Sequence, residues 1–152
     1  MIRLVYSYVL FPALLAYYKL FRPRTSGVKV VIEDERSRDI LLVRHCYGNR
    51  EVWHIPGGGY WPRWETPEQA ARREVREELS LELGALTHLG EYRTDKLGNR
   101  DTAQIFSTTV RDPAICVGPE IAEYRWASRR TVLETLRTYG VTRHALDLLE
   151  NR

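Results

Sequence analysis

The sequence is poor in cysteine, which limits the disulfides and the metal sites that it can form. It holds two cysteines among 152 residues, Cys46 and Cys116, and neither belongs to a CxxC pair or stands near a histidine at metal-ligand spacing. A disulfide framework and a cysteine-based metal site are therefore not indicated, and we expect reduced thiols in a cytoplasmic protein. A chain of this length can bury roughly 70% of its unfolded surface, so it needs no cross-links to fold.

The sequence also lacks an apolar run long enough to span a bilayer as a helix. Its longest run, residues 4–18, is shorter than the roughly 20 residues that a spanning helix needs, and Pro12 would interrupt helical hydrogen bonding. Residues 1–26 carry four basic side chains and no acid, a charge of +4, so the remainder carries 3 − 4 = −1. Past that segment, acids and bases are interleaved, which argues against a broad nucleic-acid-binding face.

We therefore treat residues 1–26 as an apolar and basic helical segment ahead of a domain at 27–152. Three interpretations of the segment stay open. It docks on the domain or on a partner subunit, as in a homodimer. It lies at the inner surface of a membrane through residues 1–24, with its tyrosines at the interface and its basic cluster on anionic lipid. Alternatively, it forms a short membrane anchor.

Short β-branched runs and helical patterns are mixed along the rest of the chain. The runs at 27–33 and 39–45 predict a pair of strands, and 52–55 predicts a third short strand that ends at Pro56. Further strands are predicted at 86–93, 102–110 and 123–127, and helices are predicted from Pro67 and over 131–137 and 141–150. The fold class is therefore α/β or α+β within one domain.

The helix that begins at Pro67 has a strongly specified start. Thr66 is a favourable N-cap, proline suits the first helical position, and Gln69 stands where a capping box places glutamine. The apolar residues that follow form a narrow stripe suited to packing on a sheet.

Three glutamates on this helix share one face. Glu74, Glu77 and Glu78 are related by i, i+3 and i+4 spacing, so their like charges repel unless something neutralises them. Mg²⁺ would do so, because it prefers carboxylate oxygens and usually retains waters and substrate phosphates. Arg73 is placed to pair with Glu77, and the alternative is a solvated helix face with ion pairs to neighbouring arginines.

The context of these glutamates resembles the Nudix box, a 23-residue motif that runs from a glycine through a glutamate to an Arg-Glu-aliphatic-x-Glu-Glu helix. Ser80 stands in place of the box's last glycine, and serine can adopt the left-handed conformation required there at modest cost. The resemblance implies an α/β/α sandwich with a mixed central sheet. The matching positions are Gly59, Glu65, Arg73, Glu74, Val75, Glu77, Glu78 and Leu81.

The same resemblance implies Mg²⁺-dependent hydrolysis, with Mn²⁺ as a possible substitute, of a diphosphate bridge in a nucleoside diphosphate linked to another group. Glu74 and Glu78 are the first expected metal ligands, with Glu77 as the third and the Gly59 carbonyl as a further one. The partner implied is a small nucleotide. The alternatives are a nucleotide-binding module without turnover and a membrane-associated hydrolase of a lipid-linked diphosphate.

Two late glutamates, Glu120 and Glu123, are candidates for the general base, and Glu123 matches the family position better. Glu65 is expected to orient Arg73 rather than bind metal. Arg44 is a candidate for contacting a substrate phosphate, although an ion pair is as good an interpretation of it.

The glycine turn and its aromatic neighbours are candidates for substrate contact. Gly58 lets the backbone approach a ligand closely. Tyr60, together with Trp61 and Trp64, forms either a base-stacking wall or a packed corner.

Overall fold

The computed structural model describes residues 24–95 and 100–151, together with Ala13, Ala16, Tyr17, Leu20 and Phe21. The predicted N-terminal helical segment therefore lies largely outside the described residues. Within the part of the chain that is described, no helix is long and apolar enough to cross a membrane.

From Arg24 onward, the described residues form six strands and three helices. The strands are β1 Arg24–Asp34, β2 Ile40–His45, β3 Gly59–Tyr60, β4 Thr87–Thr94, β5 Arg100–Val110 and β6 Ile121–Ala127. The helices are α1 Pro67–Leu79, α2 Arg129–Glu134 and α3 Gly140–Glu150.

The strands form one mixed sheet in the order β4-β5-β1-β2-β6, with β3 paired to β1. The central pair, β1 and β5, is parallel over its whole length, and the other pairings are antiparallel. The predicted pairing of the first two strands is confirmed, with Glu33 opposite Ile40. Parallel pairing between strands so distant in sequence is not readable from local patterns.

Helices cover both faces of the sheet, so the expected α/β/α sandwich is confirmed. Val28, Val30 and Ile32 of β1 pack in the core that α1 covers, because alternate side chains of a strand share a face. Val31 points to the opposite core, which α2 and α3 cover through residues such as Leu146.

The prediction of a strand at 52–55 is wrong, and the third strand is instead β3. The described chain forms only isolated bridges there, from Trp53 and His54. Pro56 has no N–H to give a ladder, and Gly57 has a φ of 127°, which ends regular strand geometry.

Residues 54–58 lie between β1 and β2 and form hydrogen bonds with both strands. The N–H of Val43 donates to the His54 carbonyl at 2.8 Å, and that of Val28 donates to the Gly58 carbonyl at 2.9 Å. Such bonds on either side fix the glycine turn, residues 57–59, in the middle of the sheet and beneath α1.

Candidate active site

Helix α1 is fixed at both ends, which holds its glutamates in place. At the start, the Thr66 N–H donates to Gln69 Oε1 at 2.8 Å and the Gln69 N–H donates to Thr66 Oγ1 at 3.2 Å, so the predicted capping box is confirmed. At the end, Ser80 takes the left-handed conformation with φ 54°. The Gly118 N–H then donates to the carbonyl of Glu78 at 2.7 Å, so the following loop satisfies a terminal acceptor of the helix.

Glu74 and Glu78 are buried, one turn apart, and face the glycine turn. The Gly57 N–H donates to Glu78 Oε2 at 2.9 Å, and the Glu78 residue is only 2% exposed. A Cβ on Gly58 would lie 2.4 Å from Glu74 Oε2, so only glycine allows the backbone to approach this carboxylate so closely.

The Arg73 guanidinium links three of the glutamates to the glycine turn. It bonds Glu65 at 2.7 Å, Glu74 Oε1 at 2.8 Å and Glu77 Oε2 at 3.2 Å, and donates to the Gly59 carbonyl at 3.1 Å. The hydrogen bonds that Arg73 donates to Glu65 raise the pKa of Arg73, so this side chain is a permanent cation. The structure thus brings Glu65 and Arg73 together, as expected from the sequence.

Lys29 lies beneath the same turn and was not predicted. Its Nζ donates to the Gly57 carbonyl at 2.6 Å and to the Ile55 carbonyl at 3.3 Å. Burial lowers the pKa of Lys29, while the nearby Glu78 and Glu74 carboxylates act in the opposite direction. Its signal in the sequence is a single lysine in the interior of an otherwise aliphatic strand.

The two buried carboxylates are poorly compensated by the protein alone. Burial raises the pKa of Glu78 to about 8, against the lowering effects of Lys29 and the Gly57 N–H. Burial also raises the pKa of Glu74, against its ion pair with Arg73. A carboxylate cluster that is costly to ionise has the donor chemistry of a divalent-cation site.

The residues that could hold such an ion are therefore Glu74, Glu77 and Glu78. As placed here, no three histidine, cysteine or acidic side chains of the described residues already stand close enough to share one ion. The carboxylates would have to turn toward the ion, and waters or phosphate oxygens would complete its shell.

A cleft of about 560 Å³ opens beside these carboxylates and contains Glu74, Glu77, Glu78 and the glycine turn in its lining. One wall is a row of rings that sequence reasoning did not assemble. The ring centroids are 4.9 Å apart from Tyr47 to His45, 4.9 Å from His45 to His54, and 5.0 Å from His54 to Tyr139. Burial, with the Lys29 charge second, lowers the pKa of His45 to about 3, so this ring is neutral at ordinary pH.

The two late glutamates are placed differently. Glu120 lines the cleft, where burial and the charge of Glu77 raise its pKa, and Tyr47 Oη stands 3.5 Å from its carboxylate. Glu123 instead pairs with Arg44 across β2 and β6 at 2.8 Å, and neither side chain is among the lining residues. The structure therefore joins these two predicted site residues to each other and not to the glutamate cluster.

The aromatic residues at and after β3 do not behave as one group. Tyr60 packs against the core that α1 covers, whereas Trp61 and Trp64 are 69% and 81% exposed and are not part of a packed corner. These rings do not form a wall of the cleft either, because Tyr60 and Trp64 line a separate shallow depression with Pro62, and Trp61 lines neither hollow.

Comparison with known proteins agrees with this arrangement. A Bacillus subtilis (strain 168) protein provisionally named 8-oxo-dGTP diphosphatase is 31% identical over 104 residues, which cover 68% of this chain and 66% of that protein. An RNA pyrophosphohydrolase of Pseudomonas aeruginosa (strain LESB58) is 41% identical over 64 residues, which cover 42% of this chain and 36% of that protein. The matched stretches thus span about two thirds and about a third of these two relatives.

Solved structures show the same fold. The MutT protein of Methanosarcina mazei Go1 superposes with a TM-score of 0.73 at 23% identity, over 86% of this chain and 95% of that one. The family model described as the NUDIX domain matches residues 23–147, which include β1, the glycine turn, α1 and both late glutamates. With the box helix set against its glycine turn and the model spanning most of the sequence, this chain belongs to the Nudix family.

Proposed function

We propose that this chain hydrolyses a diphosphate bridge in a nucleoside diphosphate linked to another group, with Mg²⁺ as its cofactor and Mn²⁺ as a substitute. The observation that carries the proposal is the pair of buried carboxylates, Glu74 and Glu78, at the wall of an open cleft. Burying two acids one turn apart destabilises the metal-free fold, and a cation with bound phosphates offsets that cost.

Separate protein groups are proposed to hold the metal ion and to keep its ligands in position. Glu74, Glu77 and Glu78 are proposed to hold the ion, with the Gly59 carbonyl as a further oxygen donor. Bound there, the ion would neutralise phosphate charge as it moves onto the leaving oxygen. Arg73 keeps the carboxylates in position through its hydrogen bonds to Glu74 and Glu77.

We assign the general base to Glu120 in preference to Glu123. Glu120 stands in the cleft, and its raised pKa makes it a better proton acceptor than an ordinary surface carboxylate. Glu123 is occupied by Arg44 in a surface ion pair. Gly58 is proposed to contact substrate through its backbone, because it borders the Glu74 carboxylate without a side chain.

The row of rings supports a substrate with a planar base. Neutral His54 and the partly exposed Tyr139 offer flat apolar faces within the same cleft as the carboxylates. The names of the two relatives, an 8-oxo-dGTP diphosphatase and an RNA pyrophosphohydrolase, both describe substrates that carry bases. We therefore favour a nucleotide over a diphosphate without a base.

The test is hydrolysis of a panel of nucleoside triphosphates, oxidised nucleotides, ADP-ribose, dinucleoside polyphosphates and capped RNA, with Mg²⁺ or EDTA. The products are separated by chromatography, because cleavage of a diphosphate bridge leaves a phosphate on each fragment and need not release inorganic phosphate. We expect turnover only with the metal, and we expect Glu78→Gln to reduce kcat by more than about 100-fold, since loss of even an outer-shell partner costs 10–100-fold. Glu82→Gln is the matched control, because Glu82 is exposed, pairs with Arg76 and is not among the residues that line the cleft.

Each outcome has a defined meaning. Full activity in Glu78→Gln would reject the metal-site assignment. Binding of a nucleotide without formation of any hydrolysis product under any metal condition would indicate a binding module in place of an enzyme.

A further inference from the structure

Two stretches of the described chain expose large apolar side chains other than tyrosine. Leu20 and Phe21 are 75% and 63% exposed, and Trp61 and Trp64 are 69% and 81% exposed. The two indole rings lie 5.9 Å apart and form one patch on the loop of residues 61–64, which we call the tryptophan loop. Exposing four such side chains costs hydration free energy, so a partner surface is expected.

The sheet register places the start of β1 and the tryptophan loop at one end of the sheet, and the chain length keeps Phe21 near that end. Ser26 pairs with Tyr60 and Gly27 with Gly59, so β1 and β3 are antiparallel. Following β1 back toward Arg24 therefore leads in the same direction as following β3 forward into the tryptophan loop. Phe21 is five residues before Ser26, so its Cα lies within about 18 Å of that of Ser26.

This end of the sheet is also basic. Arg24 and Arg100 are exposed partners at the first register position of β1 and β5, and Arg63 is exposed within the tryptophan loop. The sequence adds Lys19 and Arg22 just before β1.

The acids at the same end offset part of this charge. Glu65 is paired with Arg73, whereas Asp101, which accepts a hydrogen bond from the neutral Thr25 hydroxyl at 2.7 Å, keeps its charge. Asp95 is exposed there, so the two carboxylates leave 3 − 2 = +1 from the three exposed arginines. The patch therefore combines apolar side chains with a positive excess.

We propose that this end of the protein docks on the surface of an anionic lipid bilayer, with the tryptophan loop, Leu20 and Phe21 entering the headgroup layer. Tryptophan and arginine side chains suit that layer, since an apolar body can be buried there while the polar tip stays hydrated. Basic residues beside it are attracted to an anionic surface.

A second copy of the chain is the competing occupant, and charge disfavours it. A two-fold contact brings the same patch of both copies together, so Arg24, Arg63 and Arg100 would face their own counterparts. A lipid surface presents the opposite charge. The docking proposal does not depend on the proposed function, because neither tryptophan lines the cleft.

The experiment is flotation of the full chain with phosphatidylcholine vesicles that contain or lack phosphatidylglycerol. We expect binding only to the anionic vesicles, weakening with salt. The double variant Trp61→Ser/Trp64→Ser should bind at least about tenfold more weakly, from the apolar area it removes. Tyr124→Ser is the matched control, because Tyr124 is 42% exposed but lies on β6.

A second readout uses the unaltered protein, so it does not depend on the folding of a variant. Brominated phosphatidylcholine in the anionic vesicles should quench a large part of the tryptophan fluorescence, because two of the four tryptophans are exposed. Failure of the full chain to bind anionic vesicles would overturn the proposal. So would equal binding by the double variant, or a loss of self-association in that variant without any vesicle binding by the full chain.

Discussion

At the residue scale, neighbouring glutamates of one helix differ because of what surrounds them. Glu78 is 2% exposed and faces the Gly57 N–H, whereas Glu77 has a side chain that is 53% exposed and pairs with Arg73. The i, i+3, i+4 spacing predicted that these residues share a face. Their unequal burial could not be predicted, because it depends on a glycine turn that β1 and β2 hold in place.

The residues that sequence reasoning missed come from separate elements. Lys29 belongs to β1, Tyr47 follows β2, and Tyr139 immediately precedes α3, so only the folded sheet brings them to one cleft. The single lysine in an aliphatic strand was a usable signal for Lys29. The tyrosines carried none, since exposed and ligand-facing tyrosines look alike in one sequence.

Substitution of each late glutamate by glutamine tests which of the two acts as the general base. Glu120→Gln should lower kcat by about 100-fold or more, with little change in KM, because general-base catalysis contributes roughly 10²–10⁴-fold. Glu123→Gln breaks only a surface pair with Arg44 and should retain nearly full kcat. Steady-state kinetics on the two variants decides, and the reverse ranking would return the role to Glu123.

At the element scale, local chemistry predicted α1 better than any strand. Its capping box and N-terminal proline fixed its start, and the observed helix begins at Pro67 as predicted. Strand ends were less predictable, since β1 extends to Arg24 and β5 to Arg100 through polar residues that pair with each other. The strand predicted at 52–55 failed because its hydrogen bonds go to Val43 and to residues 137–138 as single contacts.

The left-handed end of α1 gives a stability prediction. Ser80 has a φ of 54°, a conformation that costs a residue with a Cβ roughly 1–2 kcal/mol. Ser80→Gly should therefore raise the free energy of unfolding by about 0.5–1 kcal/mol, after the larger backbone entropy of glycine in the unfolded chain is counted. Urea denaturation measures it.

A serine elsewhere provides the control for that substitution. Ser37 lies in the turn after β1 and is not among the described residues with positive φ. Ser37→Gly should leave stability unchanged or lower it. A loss of stability in Ser80→Gly equal to that in Ser37→Gly would show that the serine side chain, not the backbone, matters at the end of the helix.

At the scale of the whole molecule, the layered sandwich follows from the packing of helices on the sheet. The position of the site follows from the order of the strands in that sheet. Mixed strands and helices predicted the layers, but not the strand order or the parallel β1–β5 pair. That order sets the glycine turn between β1 and β2 under α1. The N-terminal segment stays a prediction, because most of it lies outside the described residues.

Helix α1 and the glycine turn are proposed to form a divalent-metal site together, and the activity depends on it. Mn²⁺ suits the same oxygen ligands as Mg²⁺, and its free concentration can be followed by electron paramagnetic resonance. We predict that the full chain binds Mn²⁺, that Glu78→Gln weakens binding by about tenfold or more, and that Glu82→Gln binds as tightly as the unaltered protein. Equal Mn²⁺ affinity in Glu78→Gln and the unaltered chain would contradict the account.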